Sequence, residues 1–150
     1  MAETLTIEVV TPERAVISGE AEEVILPGSE GQMGILPGHL PLLSGLGIGQ
    51  MVVRGFVSKG GTTERERKFF VDGGFVEVLP NKITVMTEAC DGYDEIDAAE
   101  ARQAIELAEK ELLQFEERSK TETVEEDVMI RHQEALKRAR TRLAMSQGEE

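Results

Sequence analysis

The chain has 150 residues, with 40% hydrophobic, 30% charged and only 4% aromatic side chains and a formal net charge of −13. That length suits one ordinary domain or a small domain with an appendage, and the acidity argues against nucleic acid or an anionic membrane as the main partner, because phosphates need a basic surface. No apolar run approaches the length of a membrane span, MAETLTIEVV lacks the basic and apolar regions of a secretory signal, and the lone Cys90 permits neither an internal disulfide nor a cysteine-based zinc site, so a soluble intracellular protein is expected.

The first ninety residues read as strands. Leu5, Ile7 and Val9 alternate with Thr6, Glu8 and Val10, the period of a strand with one buried face. Thr11-Pro12-Glu13-Arg14 is a turn, and a short run from Ala15 to Ser18 ends at Gly19. Glu22 to Leu26 is strand-like until Pro27-Gly28. Met51 to Ser58 forms a further strand, closed by a turn at Gly60-Gly61. Lys68 to Asp72 is followed by an expected second turn at Gly73-Gly74. Phe75, Val76, Val78 and Leu79 lead to the turn Pro80-Asn81, and Ile83 and Val85 alternate once more. Short strands punctuated by Gly and Pro, with no helical stretch between them, predict an antiparallel β-sandwich rather than a βαβ sheet.

After Asp91-Gly92 the period changes. Ala98, Ala101, Ile105, Ala108, Leu112 and Phe115 form one helical stripe, with Asp94, Glu95 and Asp97 at its positive end. Arg118 to Thr121 is a polar break. Met129, His132, Leu136, Ala139 and Leu143 form a second stripe, for which Thr123 with Glu126 fits a capping box. The prediction is therefore a β-sandwich over 1–90 and an antiparallel two-helix hairpin over 91–150, ending in a short disordered tail. Residues 91–127 carry a net charge of −10 and residues 128–150 a net of +2, with Arg131, Lys137, Arg138, Arg140 and Arg142 forming a basic cluster. Four of the eleven stripe positions are Ala, which bury little area. The hairpin is marginal, and marginal elements are the ones that move.

No phosphate loop, nucleophile elbow or His-Glu-x-x-His is present. The two histidines, His39 and His132, lie in different segments, and His132 falls on an apolar stripe, where a packed structural role is expected. No catalytic group and no metal site are assigned. The unusual stretch is 26–47, LPGSEGQMGILPGHLPLLSGLG, rich in Gly and Pro yet carrying seven large apolar side chains after Leu26. A disordered linker would not hold so many. It is expected to be an ordered loop, strand and loop, with Pro37 and Pro41 confining it to an edge. Gly34, Pro37, Gly38 and His39 form a structural turn, and Ser29, Glu30, Gly31 and Gln32 form an exposed tip.

The segments VTPE at Val10, LPGSEG at Leu26, GILPGH at Gly34 and VDGGFVEV at Val71, in this order and followed by an acidic helix start, resemble the epsilon subunit of bacterial F-type ATP synthase. The resemblance covers residues 5 to about 143. It implies a non-catalytic rotor subunit whose sandwich binds the gamma subunit and the c-ring, coupling proton-driven rotation to ATP synthesis on other chains. It implies that Ser29, Glu30, Gly31 and Gln32 meet the ring loops, with Gln32 where some members have Glu. It implies that Arg131, Lys137, Arg138 and Arg140 face the beta subunits of the alpha/beta assembly when the hairpin extends and restrains ATP hydrolysis. It implies a peripheral position on the cytoplasmic face of the bacterial inner membrane. Some members bind ATP through Ile-Asp-x-x-Arg-Ala. Here Ile96, Asp97 and Ala101 match but Glu100 replaces the Arg, so weak ATP binding or none is expected and no cofactor is assigned. The competing readings are an adaptor joining two proteins and a small β-sandwich enzyme using His39 with Glu30.

Overall fold

The computed structural model describes residues 3–148, so the end of the expected tail lies outside the described residues. The strands run β1 (Leu5–Val10), β2 (Ala15–Ala21), β3 (Glu23–Gly28), β4 (Gly31–Ile35), β5 (Leu42–Ser58), β6 (Thr63–Leu79), β7 (Lys82–Met86) and β8 (Cys90–Gly92). Their order in the sheet is β4-β3-β5-β2-β1-β7-β6-β8, with β5 also paired to β6. Strands β1, β2, β5, β6 and β7 thus close into a ring of hydrogen-bonded neighbours, to which β3 with β4 is added along β5 and β8 along β6. The architecture is the expected sandwich, drawn round into a barrel-like closure.

Alternation explains which side of each strand turns inward. Leu5, Ile7 and Val9 of β1, Val76 and Val78 of β6, and Ile83 and Val85 of β7 all enter one core with Phe56, Phe69 and Met51. Every pair is antiparallel except β1 with β7, which run parallel from Thr6↔Lys82 to Val10↔Met86. That parallel pair is a refinement of the antiparallel expectation. Parallel neighbours need a long crossover, and here the intervening strands of the ring supply it.

The Gly73-Gly74 turn is not formed. Both glycines lie inside β6, at φ of +66° and +102°, and the strand continues through them to Leu79. The reason is local. Gly74 passes so close to β7 that a Cβ there would collide with the Met86 carbonyl, so glycine marks a sharp bend within a strand and not its end. The core-facing parity changes across the bend, from Phe69 and Val71 to Val76 and Val78. Strand β5 likewise begins at Leu42 rather than Met51, since Leu42 to Leu46 pair with Gly74 to Val78.

The chain divides after Tyr93 into two compact units. The boundary lies beyond residue 90 because Cys90 and Gly92 are still paired, to Val71 and Phe69. A 3-10 turn (Tyr93–Glu95) spans the boundary, and α1 (Ala98–Ser119) and α2 (Glu126–Ser146) follow in the second unit. Asp97 caps α1, its Oδ1 accepting from the Ala99 and Glu100 N–H groups at 2.9 and 3.2 Å. The expected capping box on α2 is absent. The helix starts after Glu125, which makes no side-chain cap bond, and Thr123 lies too early to serve. The helices are antiparallel, because Phe115 near the end of α1 stacks against His132 near the start of α2, centroids 5.5 Å apart. Ala101, Ala108, Phe115, Leu136, Ala139 and Met145 are their buried residues.

Candidate functional site: an apolar sheet face and a hairpin tip

Three places carry the residues of interest, two on the sandwich and one on the helices. The first is the tip of the β3–β4 hairpin. Gly28 pairs with Gly31, leaving Ser29 and Glu30 as a two-residue connection. Gly31 adopts φ +143° in open space, a conformation that favours glycine. The tip is anchored, since the Ser29 N–H donates to the Gly45 carbonyl at 3.1 Å. Ser29, Glu30, Gln32 and Met33 face Leu43 and Ser44 across a groove of about 450 Å³. Among the described residues, Glu30 is the one ionisable side chain lining it.

At the other end of β4 the Leu36-to-Leu40 turn is fixed by backbone bonds. Gly38, at φ +85°, donates its N–H to the Pro80 carbonyl at 2.7 Å, which ties the turn to the β6–β7 connection. His39 donates from its backbone to the Leu36 carbonyl and from Nδ1 to the Leu40 carbonyl at 2.7 Å. Both His39 bonds are to backbone, and no carboxylate is within 4.0 Å of its ring among the described residues. Structure does not bring Glu30 and His39 together in any hydrogen bond or ion pair. Gly34 sits opposite Ile25 in the β3–β4 ladder, and Pro37 follows that ladder's end.

The second place is the outward face of β1, β7, β6 and β5. Because Val9, Val76, Val78, Ile83 and Val85 turn inward, their neighbours Val10, Phe75, Glu77, Leu79, Lys82, Thr84 and Met86 turn out. Leu43 of β5 pairs with Glu77 and continues the same face. Leu43 is 70% exposed and Phe75 58% exposed, which are large values for apolar side chains on regular strands. Leu36, Leu40 and Leu79 are exposed nearby in the chain fold. Val10, Met86 and Phe75 stand together in register on this face, and an exposed apolar patch of this kind marks a binding face. The contrast with the far end of β5 and β6 is informative. There Arg54 bridges Glu23 and Glu66 at 3.0 and 3.2 Å, and these hydrogen bonds, Glu23 first, raise its pKa. That end satisfies its own charges, whereas the apolar face has nothing of its own to cover it among the strands.

This face was not singled out by sequence reasoning. Its signal was present in the alternation of Phe75, Glu77 and Leu79 against Val76 and Val78. What was missing was the register, which aligns Val10, Met86 and Phe75 across three strands.

The third place is α2. Arg140 pairs with Glu109 of α1 at 3.2 Å, and Arg131 with Asp127 of its own helix at 3.8 Å. Lys137 is exposed and Arg138 half-buried. His132 packs on Phe115, with Nδ1 3.7 Å from a Glu111 carboxylate oxygen. Of the nucleotide-motif residues, Asp97 is engaged as the α1 cap, Ala101 is buried and Glu100 is exposed in the first turn. No cluster of three metal-ligating side chains occurs among the described residues, and no helix there is long and apolar enough to cross a membrane.

Comparison with known proteins adds the remaining information. Residues 4–91 match the family described as "ATP synthase, Delta/Epsilon chain, beta-sandwich domain". The ATP synthase epsilon chain of Desulforapulum autotrophicum is 41% identical over 145 residues, which cover 97% of each chain. That of Syntrophobacter fumaroxidans is 35% identical over 147 residues, 98% of each. Among solved structures, a chain of the Euglena gracilis mitochondrial ATP synthase, described as OSCP/F1/c-ring, superimposes with a TM-score of 0.67 at 21% identity, covering 92% of this chain and 78% of that one. The structural likeness fixes the fold, and the sequence identity runs through both the sandwich and the helices. On these grounds the chain belongs to the ATP synthase epsilon chain family, as a non-catalytic subunit of that complex.

Proposed function

We propose that the chain is the foot of the rotor: its sandwich holds the gamma shaft, its hairpin tip rests on the c-ring, and its helices regulate. The observation that carries this reading is the exposed apolar row of Val10, Met86 and Phe75 across β1, β7 and β6 of an otherwise strongly charged protein. A surface of that kind is covered by a stable partner, since interface cores are apolar and poor in charge. Gamma is the occupant that the family implies. The β3–β4 tip presents Ser29, Glu30, Gly31 and Gln32 on a braced two-residue turn, a rigid shape suited to transmitting force to ring loops.

The regulatory part rests on α2. Arg131, Lys137, Arg138 and Arg140 would meet acidic segments of the beta subunits if the helices extend. Arg140 must then exchange Glu109 for a new carboxylate, and exposed pairs of this kind differ little in energy. The two arrangements can therefore be nearly balanced. ATP is not assigned as a ligand. Glu100 places a negative charge beside the α1 N-terminus, and Asp97 is already committed to backbone N–H groups. Low-micromolar affinity in equilibrium dialysis contradicts that assignment. The location follows from the complex: the cytoplasmic face of the inner membrane, held by protein contacts.

The deciding experiment reconstitutes the complex with the chain truncated after Tyr93. Retained gamma association and proton-coupled ATP synthesis are expected, with any change confined to ATP hydrolysis. Loss of gamma association contradicts docking through the sandwich.

A further inference from the structure

Strand β4 stands at the end of the strand order and pairs with β3 alone. The tight connection at Ser29-Glu30 makes Gly28↔Gly31 the closing hydrogen-bonded pair, and bonded and unbonded pairs alternate along an antiparallel ladder. Leu26↔Met33 and Val24↔Ile35 are then bonded, whereas Pro27↔Gln32 and Ile25↔Gly34 are not. Pro27, which has no N–H, falls where none is required. Gln32 and Gly34 therefore aim their N–H and C=O groups away from β3, and no other backbone group takes them up among the described residues. Sheet edges are usually blunted by a charge, a proline or a bulge. Strand β4 has none of these: Gly31, Gln32, Met33, Gly34 and Ile35 are uncharged, and their register with β3 is unbroken. Gln32 and Gly34 are exposed, while Met33 and Ile35 pack toward the core.

We propose that in the unassembled chain β4 pairs with β4 of a second copy, antiparallel about a two-fold axis at Met33. This register puts Gln32 opposite Gly34 of the second copy and uses both outward-facing residues, for about four backbone hydrogen bonds in all. A second copy fits by charge as well. Each chain carries −13, so most of its surface repels its twin, but here Glu30 falls opposite Leu36 of the second copy and no two carboxylates face each other directly. A contact of one short strand per copy is small, so the dimer is weak and transient. It covers the Ser29-to-Gln32 tip, and on the ring-contact reading above it is a form of the free subunit that must separate before assembly. The pairing itself does not depend on that reading.

The test is sedimentation of the full-length chain, with amide exchange as a site-specific readout. From about 10 μM to 1 mM the average mass is expected to rise toward that of a dimer, as for other small interfaces. Over the same range the Gln32 and Gly34 amides should become protected, while those of Met33 and Ile35, bonded to β3, are protected throughout. Gln32→Glu, a nearly isosteric change at an exposed site, adds a carboxylate beside Glu30 on each side of the pair. It should weaken association about threefold to tenfold at low salt, with recovery at high salt. Gly34→Pro removes the outward N–H and has room for its ring, the nearest atom to an added Cβ being a Glu23 carboxylate oxygen at 3.9 Å. It should weaken association at every salt concentration, with matching thermal melts showing that both variants are folded. A chain that stays monomeric to 1 mM overturns the proposal. So does a dimer that neither variant weakens, or one in which the Gln32 and Gly34 amides gain no protection. Failure of the tip to meet ring loops in the assembled complex is a separate result, which removes only the ring-contact reading.

Discussion

The buried side chains of the two units are of different kinds. In the sandwich, Ile7, Val9, Met51, Phe70, Val71, Ile83 and Val85 are all at 0% exposure. In the hairpin, half of the buried residues are Ala101, Ala108 and Ala139, with Phe115, Leu136 and Met145 as the large ones. Fully burying a Val, Leu, Ile or Phe side chain stabilises by about 1.5–3 kcal/mol, against roughly 0.8 kcal/mol for one methyl group. The sandwich is also tied by long-range strand pairs around a ring, whereas the hairpin depends on one helix–helix seam. A part that transmits force should hold its shape, and a part proposed to regulate should be able to exchange contacts. The sequence distributes its apolar volume accordingly, and unfolding is expected in two steps with the helices first.

The sharpest way to break this contrast is at the bend in β6. Gly74→Ala puts a methyl group into the Met86 carbonyl and holds alanine at φ +102°. A destabilisation of about 4 kcal/mol or more is expected, seen as loss of the sandwich transition in denaturant unfolding while helical signal persists. A variant that melts like the unaltered protein contradicts the close approach of β6 to β7. The second step concerns the hairpin. Leu136→Ala removes a large buried side chain from a seam already rich in alanine. It should cost about 2–3 kcal/mol and lower only the helical transition, followed by circular dichroism. If both transitions shift equally, the two units are not independently stable.

These sites also show what the sequence made legible. Alternation in Leu5, Ile7 and Val9, and the stripes through Ala108 and Leu136, identify the strands and helices because burial imposes their periods directly. Gly73-Gly74 misleads because a turn and a tight bend demand the same residue. Only the neighbouring strand distinguishes them, and that strand is β7. The parallel β1–β7 pair is invisible for the same reason, since alternation carries no strand direction. Thr123 with Glu126 has the spacing of a cap, but α2 begins too late to use it. Of the functional surfaces, the tip at Ser29 to Gln32 stands out through its glycines. The face of Val10, Phe75 and Met86 does not, because it exists only once three strands are in register.

A smaller effect is expected at the start of α1. Asp97→Ala leaves the Ala99 and Glu100 N–H groups without their carboxylate. A loss of about 1 kcal/mol is usual for such a cap. It should appear as faster amide exchange in the first turn of α1, with the sandwich unaffected. Asp97→Asn preserves most of the cap and should restore protection. If Asn does not, the carboxylate has a role other than capping.

The smallest expected effect is the most informative about regulation. Arg140 and Glu109 are both largely exposed, 60% and 50%, and their contact joins α2 to α1. Exposed pairs contribute about 0–1 kcal/mol, so Arg140→Ala should barely change the melting of the isolated chain. Within the complex the same substitution is predicted to act differently. The hairpin loses only this weak contact, whereas an extended α2 loses a cation that would face an acidic beta segment. ATP hydrolysis should therefore rise toward that of the complex truncated after Tyr93. Glu109→Gln removes the same pair from the other side but leaves Arg140 in place, so it should favour extension and lower hydrolysis. Opposite signs from the two variants identify the pair as a point of exchange between arrangements. Equal effects of one sign confine it to the hairpin's own stability.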